Sequence, residues 1–172
     1  MSDMYGLLGR LVREFPAAQD ACRHVQRMFS DIVLDYRKNK HKGLFWARDT
    51  FGLVKRLVEN NWLNKDRLGL FYEDDSSSPV NILFEMMEVL DDQETNNNEI
   101  AQSAKEVAMK CLILMVAYNP GNKDRVRQSK SFEELLLRIR DNKTFGMHTE
   151  FDHYHRRMQA KLAERLLNLL AP

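Results

Sequence analysis

Apolar residues recur along almost the whole chain at steps of three and four positions, the spacing of one face of an α-helix. The pattern predicts helices over residues 2–15, 16–36, 44–60, 79–90, 100–118, 132–140 and 147–170. No stretch shows the alternation of apolar and polar residues that is typical of a half-buried strand. The sequence therefore predicts an all-α protein.

The helix predicted over 100–118 differs from the others because its second half is apolar on almost all sides. A helix without a polar face has to be covered by several neighbours, so we expect this one at the centre of the packing. The longest apolar run, Cys111 to Tyr118, is far shorter than the roughly 18 residues that a membrane-spanning helix needs. We therefore expect no membrane insertion.

A turn sequence occurs twice. Asn-Trp-Leu-Asn-Lys-Asp-Arg-Leu over 61–68 reappears as Asn-Pro-Gly-Asn-Lys-Asp-Arg-Val over 119–126, and a weaker copy covers 11–20. Alignment of Asp20, Asp66 and Asp124 gives periods of 46 and 58 residues. Periods of a little over forty residues, with two or three helices each, are typical of HEAT and armadillo arrays. The prediction is one helical domain, 1–172, with three degenerate repeats over 1–43, 44–98 and 99–172.

The stretch from Leu112 to Ile139 resembles an armadillo junction. A long apolar helix is followed by Asn-x-x-Asn-Lys-x-x-Val and then by a helix of the Phe-x-x-Leu-Leu type. The small Gly-Ala pair that is usual before the second helix is Lys130-Ser131 here, and the first unit is degenerate. The resemblance implies a short armadillo- or HEAT-like α-solenoid, with an irregular helical bundle as the alternative fold.

Charge is balanced overall, with 26 Lys and Arg against 25 Asp and Glu, but it is unevenly distributed. Residues 37–67 carry a local net charge of +6, and residues 73–106 carry −9. Two regions of opposite potential can orient a partner and speed encounter. We predict partner contacts at the basic stretch and the repeated turns, through Arg37, Lys38, Lys40, Lys42, Arg48, Lys65, Arg67, Lys123 and Arg125.

The same basic segment suggests RNA or DNA binding as an alternative. Phe45 and Trp46 lie among its cations, and a base can stack on an aromatic ring while lysines meet the phosphates. The competing interpretation is that both aromatics are core residues. The chain as a whole lacks the basic excess typical of nucleic-acid binders, which favours a protein partner.

Candidate catalytic and metal chemistry is sparse. His148, Asp152 and His155 fall on one face of a helix and can in principle ligate zinc, but the HExxH motif is absent. Neither a phosphate-binding glycine loop nor a nucleophile elbow is present. Cys22 and Cys111 lie on apolar stripes and are expected to be buried thiols. The sequence therefore predicts neither an enzyme nor a cofactor.

These features predict a non-catalytic scaffold or adaptor that binds a protein or peptide in the cytoplasm or nucleus and belongs to a larger scaffold or assembly. A non-catalytic helical region of a large ubiquitin-pathway enzyme is a further alternative, by analogy of fold alone. Leucines on more than one side of the last helix suggest self-association there. Asp66 and Asp124 are expected to cap the short helices that follow, and Ser131 with Glu134 to form a capping box.

Overall fold

A computed structural model of the chain describes residues 7, 10–11, 14–15, 17, 44–59, 61, 64, 87, 99–141 and 150–172. These ranges contain five α-helices: α1 (Leu44–Val58), α2 (Glu99–Val116), α3 (Pro120–Arg127), α4 (Lys130–Asp141) and α5 (Glu150–Leu170). No strand occurs within the same ranges. The all-α prediction is therefore confirmed, whereas the helices predicted over 16–36 and 79–90 lie almost wholly outside the described residues.

Helix α2 is the centre of the described packing, as its apolar sequence predicts. It packs against α1 and against α5, and it contacts α3 as well. Buried residues occur on several sides of the helix and include charged as well as apolar side chains: Ala101, Gln102, Ala104, Lys105, Glu106, Ala108, Met109, Cys111, Leu112, Ile113, Met115 and Val116. The three alanines, at steps of three and four, let a neighbouring helix approach closely.

One apolar cluster joins all five helices. Helix α1 contributes Phe51, Leu53, Val54, Leu57 and Val58, and α4 contributes Phe132, Leu135, Leu136 and Ile139. Helix α5 adds Leu162, Ala163 and Leu166, and Val126 anchors the short helix α3. Complete burial of one such leucine or phenylalanine stabilises the fold by about 1.5–3 kcal/mol. Hydrophobic burial along the predicted helical faces therefore holds the described part of the chain together.

Three apolar residues near the amino terminus lie outside this cluster. Leu7, Leu11 and Phe15 follow one another at steps of four, and all three are exposed. The backbone N–H of Phe15 donates to the carbonyl of Leu11, as in a helix. The predicted apolar face is thus present at these positions, but it contributes nothing to the described core.

Two predicted helix caps are wrong. Asp124 does not cap a helix; it lies inside α3, is exposed, and pairs with Arg127 at 3.3 Å. The N-cap of α3 is Asn119, whose side chain accepts a hydrogen bond from the backbone N–H of Asn122. The helix begins earlier than the aspartate suggests because Pro120 is favoured in the first helical turn.

The predicted capping box at Ser131 is also wrong, because α4 begins at Lys130 and Ser131 lies in its first turn. The carbonyl of Ser129 accepts the backbone N–H groups of Phe132 and Glu133, which sets the helix start two residues earlier than predicted. At the other end of the fold, α5 is described from Glu150, and the preceding residues 142–149 lie outside the described ranges.

Candidate binding cleft

The second copy of the repeated turn is built around two asparagines. Asn119 Oδ1 accepts the backbone N–H of Asn122 at 3.0 Å and thereby caps α3. Asn122 Nδ2 donates to the carbonyl oxygen of Met115, also at 3.0 Å. That carbonyl lies in the last turn of α2, where the helix itself supplies no donor. One buried side chain therefore ties the end of α2 to the start of α3.

The first copy of the turn makes the same two hydrogen bonds. Asn61 Oδ1 accepts the backbone N–H of Asn64 at 3.0 Å, and Asn64 Nδ2 donates to the carbonyl oxygen of Leu57 at 2.8 Å. In both copies the donor and acceptor of the second bond are seven residues apart. The likeness between the two sequences is thus matched by a likeness in local geometry.

Tyr118 has an unusual conformation in the second turn. It follows the end of α2 with a φ angle of 60°, in the left-handed region. Glycine or asparagine is the usual residue there, because a β-carbon raises the energy of this conformation by about 1–2 kcal/mol. The tyrosine nevertheless lies 85% exposed to solvent. A strained backbone that presents a large aromatic ring to solvent is a feature that binding sites often retain.

The ring of Tyr118 borders a cleft of about 810 Å³ between the second turn, α3 and the end of α5. Its other lining residues are mostly apolar or basic: Val116, Ala117, Asn119, Pro120, Lys123, Asp124, Arg127, Arg165, Leu169 and Pro172. Three cations face a single carboxylate in this set. The described lining of the cleft is thus mostly apolar, and its charged side chains are mostly cations.

The cations of the cleft have different roles. Arg127 Nε donates to the carbonyl of Leu170 at 2.6 Å, and its two terminal nitrogens donate to Ala171 and to Asp124. Arg127 therefore fastens the end of α5 to α3 and forms part of the wall. Lys123 and Arg165 carry the remaining positive charge, one from each side of the cleft.

The structure describes three of the predicted partner-contact residues. Lys123 lines the cleft, whereas Arg125 Nη1 donates to Asn122 Oδ1 at 3.4 Å and so supports the turn. Arg48 lies on α1, outside the cleft lining, and pairs with Asp49 at 3.1 Å. The other six, Arg37, Lys38, Lys40, Lys42, Lys65 and Arg67, lie outside the described residues.

Tyr118 and Arg165 are cleft residues that sequence reasoning missed. A tyrosine directly before Asn-Pro, where a helix stop favours glycine, was a usable signal for the first. No local signal marks Arg165, because the fold brings it to Lys123 from 42 positions further along the chain.

His155, one of the three proposed zinc ligands, pairs with a carboxylate on a neighbouring helix. His155 is buried, and its Nδ1 lies 2.5 Å from Oε1 of Glu106 on α2. His148 and the side chain of Asp152 lie outside the described part of the chain. Within that part, no group of three or more His, Cys, Asp or Glu side chains has metal-binding geometry. Burial against α2 thus gives His155 a packing contact that its sequence spacing did not predict.

A second polar pair lies one helical turn from His155. Gln159 Nε2 donates to Oε1 of Gln102 on α2 at 2.5 Å, and both glutamines are buried. Lys110 lies 3.5 Å from the other oxygen of Glu106 and supplies a positive charge at the edge. Buried polar groups need such partners, because an unpaired one destabilises the fold by about 1–3 kcal/mol. These pairs fix the register of α5 against α2.

Cys111 is fully buried, as its position on an apolar stripe predicts. Burial raises the pKa of the Cys111 thiol to about 12, against a smaller lowering effect from the charge of Lys55. The nucleophilic form of cysteine is the thiolate, so this thiol is inert at neutral pH. Cys22 lies outside the described residues.

Comparison with protein-family models, curated proteins and solved structures found no significant match. No helix in the described ranges is long and apolar enough to cross a membrane. The geometry of the cleft, and of the turn that builds it, is therefore the basis for a functional proposal.

Proposed function

We propose that the chain is a non-catalytic protein–protein interaction module that binds its partner in the cleft beside the second turn. The observation that carries the proposal is Tyr118, whose ring is held in solvent by a strained backbone at the edge of an apolar cleft. Aromatic anchors in concave pockets contribute most of the energy at protein interfaces. A cleft of this size also lies within the range of known ligand pockets.

In this proposal the chain is an armadillo- or HEAT-like array, as its sequence resemblance implies. The two matching asparagine turns support that arrangement, and so does the order of elements: a long helix, a turn, a short helix, a second helix and another long helix. Arrays of this kind stack repeats and bind partners along the surfaces that the stack creates. A scaffold or adaptor role in the cytoplasm or nucleus is the part of the proposal that agrees with that mode of binding.

The chemistry of the cleft favours binding over catalysis. None of the described lining residues is a histidine, cysteine, serine or threonine. Its polar side-chain groups are an amide, a phenol, three cations and a carboxylate, and that carboxylate is paired with Arg127. General acid–base and nucleophilic catalysis both need a group that can exchange a proton near neutral pH or attack a substrate. This set is suited to recognition of a charged and apolar surface.

Quantitative affinity capture tests the proposal. The intact chain and the variants Tyr118→Gly and Lys123→Glu serve as bait in cytosolic and nuclear lysates treated with nuclease, with Arg157→Glu as the matched control. Arg157 is exposed on α5 but lies two turns away from Arg165. We expect one set of proteins to be retained by the wild type and the control and lost by both cleft variants. Equal capture by all four baits would contradict the proposal.

A further inference from the structure

The charges around the cleft point to the class of partner. Lys123 projects from α3 and Arg165 from α5, and both belong to the lining. Asp124, the one acidic side chain among the described lining residues, has its carboxylate engaged by Arg127 at 3.3 Å. The described side chains of the lining therefore carry net positive charge, and a complementary ligand carries negative charge. Lys123 and Arg165 come from different helices, so a ligand that meets both contacts α3 and α5.

The interior of the cleft indicates an apolar contact between those two charges. Val116, Pro120 and Leu169 lie in the lining together with the exposed ring of Tyr118. A side chain buried there gains the apolar transfer energy that rim ion pairs cannot supply. Tyrosine suits the edge of such a pocket, because its ring packs while its hydroxyl remains hydrated.

We propose that the cleft binds an extended acidic peptide segment, with one aromatic or aliphatic side chain against Tyr118 and carboxylates against Lys123 and Arg165. This inference rests on the proposed function and specifies its partner. A peptide matches the cleft better than a nucleic acid strand does. Among the lining residues that the structure describes, only Lys123 and Arg165 remain to meet phosphates, because Arg127 is engaged within the fold, whereas a strand carries one negative charge per nucleotide.

Fluorescence anisotropy with short labelled peptides tests the inference. The probe is a seven-residue peptide with a central phenylalanine, two aspartates and two glutamates. Its control has the same sequence with asparagine and glutamine in place of the acids. We expect the acidic peptide to bind about tenfold more tightly than its amide counterpart, because two charge pairs are lost. Its affinity should also fall as salt rises, since the rim is solvent-exposed.

Variants locate the interaction. The double variant Lys123→Gln with Arg165→Gln should weaken the acidic peptide by about tenfold and leave the amide peptide unchanged. Arg157→Gln, which changes the same type of charge on α5 outside the cleft, should leave both affinities within twofold. Equal affinity for the two peptides, or tighter binding of a single-stranded oligonucleotide that displaces the acidic probe, would overturn the inference.

The peptide assay and the affinity capture separate this inference from the proposed function. Proteins that are lost with Tyr118→Gly, combined with no preference for the acidic peptide, would overturn the acidic class and leave the binding module standing. Failure of both experiments would remove the cleft as a binding site.

Discussion

Replacement of Asn122 by alanine tests whether the repeated turn is a structural unit. Asn122 is only 1% exposed, and Met115, whose carbonyl it binds, is fully buried. The substitution removes that hydrogen bond and the weaker contact with Arg125. Water does not readily replace the lost donor, so the carbonyl is left without a partner in an apolar environment.

The expected loss of stability follows from these contacts. A neutral hydrogen bond contributes about 1 kcal/mol, and an unsatisfied buried acceptor raises the loss to about 1–3 kcal/mol. We therefore expect Asn122→Ala to lower the free energy of unfolding by about 2 kcal/mol. In a chain of this size, that corresponds to a fall in Tm of about 4–8 °C. Asn122→Asp, which keeps the shape but removes the donor, should lower stability at least as much.

The assay is urea unfolding followed by far-ultraviolet circular dichroism at pH 7. Asn64→Ala removes the equivalent bond to Leu57 in the first turn and should lower stability by a similar amount. Asn168→Ala is the matched control, because Asn168 is exposed on α5 and its loss should change stability by less than about 0.5 kcal/mol. If Asn122→Ala behaves like the control, or if only one turn is sensitive, the equivalence of the two turns is refuted.

Three further predictions concern other parts of the structure. Tyr118→Gly should leave the free energy of unfolding unchanged or raise it by up to about 1 kcal/mol, because relief of the left-handed strain offsets the greater chain entropy of glycine. A clear fall in Tm would show that the ring of Tyr118 stabilises the fold. His155→Ala should lower the free energy of unfolding by about 2 kcal/mol, because it removes the buried contact with Glu106. His153 is exposed, so His153→Ala should change the free energy of unfolding by less than about 0.5 kcal/mol. Equal effects of the two substitutions would contradict the contact with Glu106. Burial raises the pKa of Cys111 from 9.0 to about 12, so the stability difference between the wild type and Cys111→Ala should be constant below pH 9 and should shift against the wild type as pH rises from 9 towards 12. Parallel pH profiles for the two proteins would contradict that burial.

The described helices were largely predictable, because apolar periodicity and burial have the same cause. A residue that recurs every three or four positions faces the core, so the apolar sequence over 107–116 was enough to predict a central helix. Helix ends were less predictable, since several polar residues compete to cap them. Asn119 and Ser129 define the starts of α3 and α4, although Asp124 and Ser131 also fit cap patterns by sequence.

The cleft could be predicted only in part. Lys123 could be predicted because it lies in a repeated turn, and a repeat can be found from the sequence alone. Arg165 and the contact between His155 and Glu106 depend on how α5 packs against α2 and α3, which no local pattern specifies. The zinc hypothesis shows what spacing alone cannot predict. The spacing placed His155 on one face of a helix, but the packing of α5 determines which residues that face contacts.

Photocrosslinking in cells tests directly whether the cleft beside Tyr118 binds a protein. Tyr118 is replaced by a photoreactive phenylalanine derivative, and a matched protein carries the same group at Tyr154, a second exposed tyrosine that lies on α5 outside the cleft lining. We expect covalent protein adducts from position 118 that disappear when Lys123 and Arg165 are also changed to glutamine, and no such adducts from position 154. No adduct at position 118, or the same adducts from both positions, would contradict binding in the cleft.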